Sequence, residues 1–438
     1  MTSPLRWLPL VLALSACNQQ VVSPPAQVQG SYDLAQVGDL LFVTAAGRNE
    51  LKVLDLVLPA NTRLRTFVRA PNPIKALSIP VLERPIQLVR DTTWVPAAAG
   101  EDAGGEISGP YLYVRGEGSA EVSWVDGRRE GLRELGRIIA PSTVTALAAS
   151  GPTQTSDSRL YIATLNASIG VLYRVAMPSP EAVASGATPG VLDAVLSVPD
   201  EAITALAILP DDELAIATRS LVGGASRAFV LHVPTLATRA LLFGKPVRHL
   251  VTHARVAGGP GPAAFLYGVV DEQACGAPTD CQGILAVRRD TGALATVNSG
   301  QPMSLLGMGS GLIQSLVVAP GMEVRVTADD AAPVPVPLLG MVATAGSDSV
   351  DAGGRIFFFH ALEMRHFVTV PDEPNDQPLS FGVDPGLVPN FFLPGGAVLE
   401  PSLGRAFVAY PSAGGMMEFD PATITPNALN SREITPYR

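Results

Sequence analysis

The sequence predicts an all-β fold made of repeated units, and three observations support this prediction. Short apolar runs with alternating polar residues recur along the chain, separated by turns rich in glycine or proline. The composition favours strands over helices, because 42 Gly and 39 Pro stand beside only 16% charged residues. Successive copies of the pattern lie about 50 residues apart in most intervals, and such a period with about four strands per unit is typical of a β-propeller.

The clearest copy of the repeat lies at residues 38–56, where strands at 40–43 and 51–56 flank a turn. Six further copies of the first of these two strands are predicted, at residues 111–114, 160–163, 214–217, 265–268, 356–359 and 406–409. The sequence therefore predicts seven blades of about four strands each, with eight blades as the alternative. A two-sheet sandwich would show shorter and less regular spacing.

Two intervals between copies are longer than the others. Residues 97–109 are rich in Gly and Ala, which predicts a long loop in the first interval. Residues 301–340 are predicted to form an insertion, or an extra and degenerate blade around residues 312–320. Because blade strands are occupied by packing against their neighbours, binding is expected at such connecting segments, of which 92–109, 275–281 and 301–340 are the longest.

The first 16 residues have the features of a signal peptide. Arg6 and the amino terminus are positive, and the apolar core at residues 7–14 is too short to span a bilayer. The sequence Leu-Ser-Ala-Cys at 14–17 resembles the lipobox of bacterial lipoproteins. This resemblance implies that Cys17 becomes the acylated (palmitate-bearing) first residue of the mature protein. An ordinary secretory signal with an incidental cysteine is one alternative, and a buried apolar N-terminus is another.

The residues after the lipobox suggest where the protein goes. Bacterial lipoproteins retained in the inner membrane usually carry Asp directly after the lipidated Cys, so Asn18 favours the outer membrane, at its periplasmic face or at the cell surface. Residues 17–30 are uncharged and contain paired prolines, which predicts a flexible tether able to reach roughly 40 Å. The propeller domain is predicted at 31–438.

The charge of the chain limits its partners. The formal net charge is −10, and removal of residues 1–16, which contain one Arg and no acid, leaves about −11. An acidic chain without a Lys/Arg-rich run is a poor nucleic-acid binder, so no nucleic-acid partner is expected. No apolar run after residue 16 is long enough for a transmembrane helix, so membrane attachment is expected through the lipid alone.

The two other cysteines lie close together in the sequence. Cys275 and Cys281 flank a turn that contains Gly and Pro. In an exported protein this arrangement predicts a local disulfide bond. A metal or redox pair is the alternative, although the spacing is not C-x-x-C and no His lies nearby.

The first copy of the repeat resembles that of YVTN-type propellers, a bacterial seven-bladed superfamily. Residues 42–45, Phe-Val-Thr-Ala, stand where that repeat has Tyr-Val-Thr-Asn, and residues 53–55, Val-Leu-Asp, where it has Val-Ile-Asp. The match is confined to this copy. The superfamily includes lactonase-like enzymes, surface-layer proteins and repeats of unknown role, so the resemblance implies a fold and no single function.

No motif in the sequence predicts a catalytic centre. The chain has neither G-x-S-x-G nor a Walker motif. His249 and His253 could face one side of a strand, but the sequence identifies no third metal ligand. Acidic residues cluster in predicted turns at 211–213, 329–330 and 372–376, and a calcium ion at the last cluster is the one alternative to having no cofactor. The sequence thus names no catalytic residue and no metal ligand.

Together these features favour an envelope-anchored scaffold that binds a protein or glycan through propeller loops. They favour an enzyme less. Trp94, in the predicted loop at 92–109, is the candidate contact residue, because tryptophans are enriched at binding hot spots. One alternative is a lactonase-like propeller hydrolase that acts on small envelope molecules. Another is a structural surface-coat protein.

Overall fold

The structure analysed is a computed structural model. It describes residues 32–59, 66–69, 72–75, 78–95, 105–151, 158–223, 226–271, 283–297, 300–306, 312–325, 332–345, 355–367, 380–382, 393–412, 414–423 and 434–437. The predicted signal peptide and tether lie outside these residues, as do Cys17, Cys275 and Cys281. The lipid anchor and the disulfide bond therefore stay predictions.

The described strands form successive antiparallel groups, each from one stretch of chain. The first group contains β1 (Leu34–Val37), β2 (Leu40–Ala45), β3 (Glu50–Asp55) and, after a separate hairpin of β4 (Thr66–Arg69) and β5 (Asn72–Lys75), β6 (Ser78–Pro80). The second contains β7 (Pro85–Val95), β8 (Gly105–Gly116), β9 (Glu121–Asp126) and β10 (Arg133–Ile139). The third contains β11 (Thr143–Ser150), β12 (Arg159–Asn166), β13 (Ile169–Ala176) and β14 (Asp193–Pro199).

Four more groups complete the described strands. The fourth contains β15 (Glu201–Ile208), β16 (Glu213–Ser220), β17 (Ala228–His232) and β18 (Ala237–Ala240). The fifth contains β19 (Val247–Val251), β20 (Phe265–Val270), β21 (Gly283–Arg288) and β22 (Ser304–Leu306). The sixth contains β23 (Ile313–Val324), β24 (Val334–Thr344), β25 (Arg355–His360), β26 (Arg365–His366) and β27 (Ser380–Gly382). The seventh contains β28 (Ala397–Glu400), β29 (Arg405–Tyr410), β30 (Gly415–Phe419) and β31 (Ile434–Tyr437).

These groups are the blades of a propeller, and the predicted β-propeller fold is confirmed. The first strand of each blade borders a central channel, and the following strands lie progressively further out. The number of blades stays a prediction, with seven groups among the described strands. The one α-helix in the described part of the chain, α1 (Pro180–Ala184), lies between β13 and β14 and is capped by the Ser179 hydroxyl, which accepts a hydrogen bond from the Ala182 amide at 3.3 Å.

The repeat has a physical basis in the buried surfaces between blades. Seven clusters of buried side chains lie among the described residues, each between two successive blades, and the last joins the seventh blade to the first. Each cluster takes one leucine from an inner strand, namely Leu34, Leu88, Leu147, Leu206, Leu250, Leu316 or Leu399. A sheet with two apolar faces is stable only when both are covered, so the blades stabilise one another.

The ring closes through side-chain packing and a few specific contacts near Asp33. The Gly396 amide donates to the Tyr32 carbonyl at 2.8 Å. Asp33 accepts from the backbone amides of Leu34 and Leu88, both at 2.9 Å. A methyl group on Gly396 would lie 1.9 Å from Asp33 Oδ1, so a larger residue there would force Asp33 to move. Burial raises the pKa of Asp33 to about 6, and the two amide hydrogen bonds partly oppose this rise.

Two sequence predictions about the long intervals are corrected. The predicted loop at 97–109 is wrong from residue 105 onward, since β8 begins at Gly105 and β7 continues to Val95. The predicted insertion or extra blade at 301–340 is also wrong. Residues 313–324 are the inner strand of the sixth blade and pair with β24, so 356–359 lie in its third strand and not in the second, as the other copies do.

Candidate binding cleft

The hairpin of β7 and β8 extends beyond the second blade as an arm, made of residues 92–95 and 105–108. At its root a bulge interrupts the register between Arg90 and Thr92, and Thr92 pairs in parallel with Ser150 of the third blade. The backbones approach closely here, because a methyl group on Gly151 would lie 2.1 Å from Thr93 Oγ1. The arm is therefore held against the third blade.

Trp94 anchors the arm on the fourth blade. Its indole N–H donates to the Ile208 carbonyl at 3.2 Å. The ring is half-buried and packs against the cluster between the fourth and fifth blades. The arm thus crosses from the second blade to the fourth and places an aromatic side chain at the face of the propeller where the inner strands end.

The tight turn between β15 and β16 forms the second part of this face. Asp211 and Asp212 both have a left-handed backbone, with φ of 64° and 56°. Two successive residues with positive φ are characteristic of a type I′ hairpin turn, which aspartate tolerates better than most residues. The Asp211 carboxylate is largely exposed and lies 3.0 Å from Arg289 Nη2 of the fifth blade.

A compact loop between β19 and β20 forms the third part. Val256 and Ala263 are buried and fix its ends, while Pro260 and Pro262 line the surface between them. The buried His253 holds the base of this loop, since its Nδ1–H donates to the Ala254 carbonyl at 2.7 Å and its Nε2 accepts from the amide of Phe265 at 3.2 Å.

Two arginine–aspartate pairs complete the site. Arg288 and Asp290 form a bidentate pair with distances of 3.0 and 2.7 Å. Hydrogen bonding from Arg288 lowers the pKa of Asp290 to about 2. Arg289 joins two blades, because its Nη1 donates to the Pro210 carbonyl at 3.2 Å while its Nη2 binds Asp211.

These segments enclose a cleft of about 560 Å³, which we call the Trp94 cleft. It is lined by Trp94, Pro210, Asp211, residues 260–262, Ala264, Phe265 and residues 288–290. Its volume is within the range of small-molecule sites, about 300–1,000 Å³. Aromatic rings, prolines and paired charges together make a surface that can hold a ligand by stacking and by hydrogen bonds.

The central channel is another cavity, and it has a different character. It measures about 600 Å³ and is bordered by the inner strands of all the described blades. Its leucines are repeated from blade to blade, while Arg90 directs one N–H to the Gln36 carbonyl at 3.1 Å. The channel wall thus repeats the interblade core, whereas the Trp94 cleft combines side chains that occur once.

Another aspartate with a raised pKa lies at the root of the arm. Asp91 is fully buried, and neither of its carboxylate oxygens makes a well-formed hydrogen bond in the described part of the chain. Burial raises its pKa to about 8, although the Tyr113 hydroxyl and the Tyr111 amide lie close enough to oppose the rise. Asp91 therefore differs from Asp33, which accepts two backbone hydrogen bonds.

The structure places the other sequence candidates as follows. Trp94 lines the cleft, but on a strand rather than in a loop. His249 is exposed and His253 is buried with both ring nitrogens bonded to the backbone, so the two do not form a common site. The acidic residues at 211–213 bind arginines, and the clusters at 329–330 and 372–376 lie outside the described residues.

Two features are absent from the described part of the chain. No group of three or more His, Cys, Asp or Glu side chains is arranged to hold a metal ion. No helix has the length and apolar character needed to cross a membrane.

Sequence reasoning did not identify Asp211, Phe265, Arg289 and Asp290 as members of one site. Their contacts join distant parts of the chain, and Arg289 and Asp211 are 78 positions apart. The available signals were local only. The Asp-Asp turn and the Gly-Pro-Gly-Pro run each depart from the strand pattern at 210–213 and 259–262.

Comparisons with known proteins show distant similarity to solved structures alone. No protein-family model and no curated protein matches the chain. A streptogramin B lyase structure has 9% identity and a TM-score of 0.46, with 89% of this chain and 93% of that chain covered. The WD40 domain of Toxoplasma gondii coronin has 11% identity, a TM-score of 0.41 and coverages of 75% and 68%.

A third similar structure is the calcium-binding protein regucalcin from Agrobacterium tumefaciens, with 12% identity, a TM-score of 0.36 and coverages of 80% and 88%. These values are too low to transfer an activity or a ligand to this chain. The fold assignment rests on its own strand topology.

Proposed function

We propose that this chain is a lipid-anchored binding protein of the bacterial cell envelope that holds its ligand in the Trp94 cleft. One observation carries the proposal. The cleft is assembled from the arm of the second blade, the turn of the fourth and the loops of the fifth, all of which depart from the repeated strand pattern. Segments that depart from the repeat and converge on one cavity are where a propeller can acquire a specific ligand.

The direction of the chain supports this proposal. Tyr32, the first described residue, lies beside Gly396 at the end of the channel where inner strands begin. The cleft lies at the end where inner strands finish, next to Ile208. A tether attached at Cys17 would enter from the opposite face, so the cleft would point away from the membrane and stay accessible.

Fluorescence of Trp94 provides the test of ligand binding. The chain has three Trp, of which Trp7 lies in the predicted signal peptide and Trp124 is buried, so Trp94 dominates any solvent-dependent change in the mature protein. The mature protein is titrated with lipid, glycan and protein fractions of native envelopes. We expect one fraction to change the emission of the wild type and of Val222→Ala, an exposed substitution outside the cleft, but not that of Trp94→Leu.

Two results would contradict the proposal. One is that no envelope fraction perturbs Trp94. The other is metal-dependent hydrolysis of lactones or esters by the purified protein, which would favour an enzyme. The anchor is tested separately, because Cys17→Ser should prevent acylation and release the protein from the membrane fraction; a variant that stays in that fraction would refute the lipoprotein assignment.

A further inference from the structure

We infer that the ligand of the Trp94 cleft is a short, uncharged oligosaccharide. This inference rests on the proposed function and specifies the chemistry of that site. It follows from three properties of the cleft: half-buried aromatic rings on rigid supports, charges that are balanced within the protein, and two fifth-blade strands, β20 and β21, that are paired on both sides.

The aromatic side chains come first. Trp94 and Phe265 are both half-buried and both line the cleft. The Trp94 indole N–H donates to the Ile208 carbonyl, and the Phe265 ring packs near the His253 imidazole, with ring centroids 5.9 Å apart. The C–H face of a pyranose ring is apolar and packs on such rings, and the fixed rings lose little entropy when a ligand binds.

The charged groups supply polar contacts without a net charge. The two arginines and two aspartates of the cleft form two pairs. Asp290 accepts hydrogen bonds from Nε and Nη2 of Arg288 and from the Thr291 amide. A carboxylate has about four lone-pair positions, so one remains for a ligand donor. A sugar hydroxyl both donates and accepts, which suits donors and acceptors placed side by side.

Two other ligand classes fit this cleft less well. An extended peptide commonly binds by adding a strand to a free sheet edge. Strands β20 and β21, which carry Phe265 and Arg288 of the cleft, are each paired on both sides and offer no such edge. A phosphate group requires cations free to bind it, whereas Arg288 and Arg289 are already bound to carboxylates.

Calorimetric titration of the mature protein with three tetrasaccharides tests the inference. The probes are chitotetraose, cellotetraose and maltotetraose, which differ in linkage and substituents. We expect at least one to bind the wild type and to change Trp94 fluorescence. Asp290→Asn should weaken this binding about tenfold or more, because it removes a charged acceptor. Trp94→Leu should remove it while preserving apolar packing under the arm.

A matched control comes from an ion pair elsewhere on the surface. Asp193 and Arg174 form an exposed pair at 2.5 Å on the third blade, outside the cleft. Asp193→Asn should therefore leave tetrasaccharide affinity unchanged within about twofold, since it changes net charge but no cleft contact. Thermal unfolding of each variant verifies that the protein is folded during the titration.

The outcomes separate this inference from the proposed function. Failure of all three tetrasaccharides, together with a Trp94 response to tetraproline peptide or inorganic phosphate, would overturn the saccharide and leave the cleft as a binding site. Tetrasaccharide binding that is equally strong in Trp94→Leu would also overturn the inference, because the sugar would then bind outside the Trp94 cleft. The absence of any Trp94 response to envelope fractions would overturn both.

Discussion

The Trp94 cleft differs from the interblade interfaces in the kind of residues that form it. Each interface uses equivalent positions of the repeat, such as one leucine on every inner strand, and its energy comes from apolar burial. The cleft uses residues that occur once, in an arm, a left-handed turn and a proline-rich loop. Repeated residues thus stabilise the propeller, whereas the cleft that we propose as the binding site is made of exceptions to the repeat.

The largest expected effect is on the interface that closes the ring. Phe407 is fully buried between the seventh and first blades. Phe407→Ala should lower the free energy of unfolding by about 3–5 kcal/mol, through lost burial and a residual cavity. Chemical denaturation measures this loss. Val222→Ala, at a side chain that is 69% exposed, should change stability by less than about 0.5 kcal/mol. Similar losses of unfolding free energy in Phe407→Ala and Val222→Ala would mean that apolar burial at this interface does not stabilise the propeller.

A second variant tests closure through the backbone. Gly396→Ala would bring its methyl group to 1.9 Å from Asp33 Oδ1 and 3.1 Å from Asp33 Cα. We expect a loss of about 2–3 kcal/mol, because Asp33 must move away from its amide partners. Gly136→Ala is the matched control, since nothing lies within 4 Å of that added methyl group. Equal unfolding midpoints for these two alanine variants would show that the space beside Asp33 can accommodate a methyl group at residue 396.

Much of the repeat could be predicted because its signal is local. Strands β2 and β3 follow from alternation within residues 38–56, and the structure confirms this hairpin. The prediction for the sixth blade is wrong because β23 and β24, with 12 and 11 residues, are longer than the repeat pattern expects. The pattern therefore assigns residues 356–359 to the second strand, although they lie in the third. The cleft could not be predicted. Trp94 was recognised as a candidate, yet its partner Ile208 is 114 residues away.

Two aspartates with raised pKa values, Asp33 and Asp91, allow the comparison to be tested by pH. A raised pKa in the folded state means that stability is greatest below the unfolded value and falls as pH rises through the folded one. For Asp33 this window extends from about pH 4 to about 6, and for Asp91 it extends to about pH 8. Wild-type stability should therefore decline over this range, with Asp91 responsible for the upper part.

Asp91→Asn should separate the two contributions. At pH 8 the variant should be more stable than the wild type by about 1–2 kcal/mol, because it avoids burying an unpaired charge. The difference should shrink as the pH falls and disappear below the ordinary aspartate value of 3.8, at about pH 3, where Asp91 is protonated in both the folded and the unfolded state. Thermal unfolding from about pH 3 to about pH 9 measures both limits. A variant less stable than the wild type at pH 8 would mean that the carboxylate has a favourable partner.

The smallest expected effect on stability lies in the cleft itself. Arg289→Gln removes two hydrogen bonds to the turn of the fourth blade, one to the Pro210 carbonyl and one to Asp211. Because Asp211 is mostly exposed, the loss should be below about 1 kcal/mol. Arg174→Gln, which breaks the exposed pair with Asp193, should have a similarly small effect.

Ligand binding should nevertheless distinguish these two arginine variants. Only Arg289→Gln frees the turn that forms one wall of the cleft, so only this variant should weaken the ligand-induced change in Trp94 emission. If both arginine variants bind as the wild type does, the turn is not part of the site. If Arg289→Gln unfolds the protein, Arg289 is required for stability. The proposed distinction between residues that stabilise the propeller and residues that form the cleft would then not hold for Arg289.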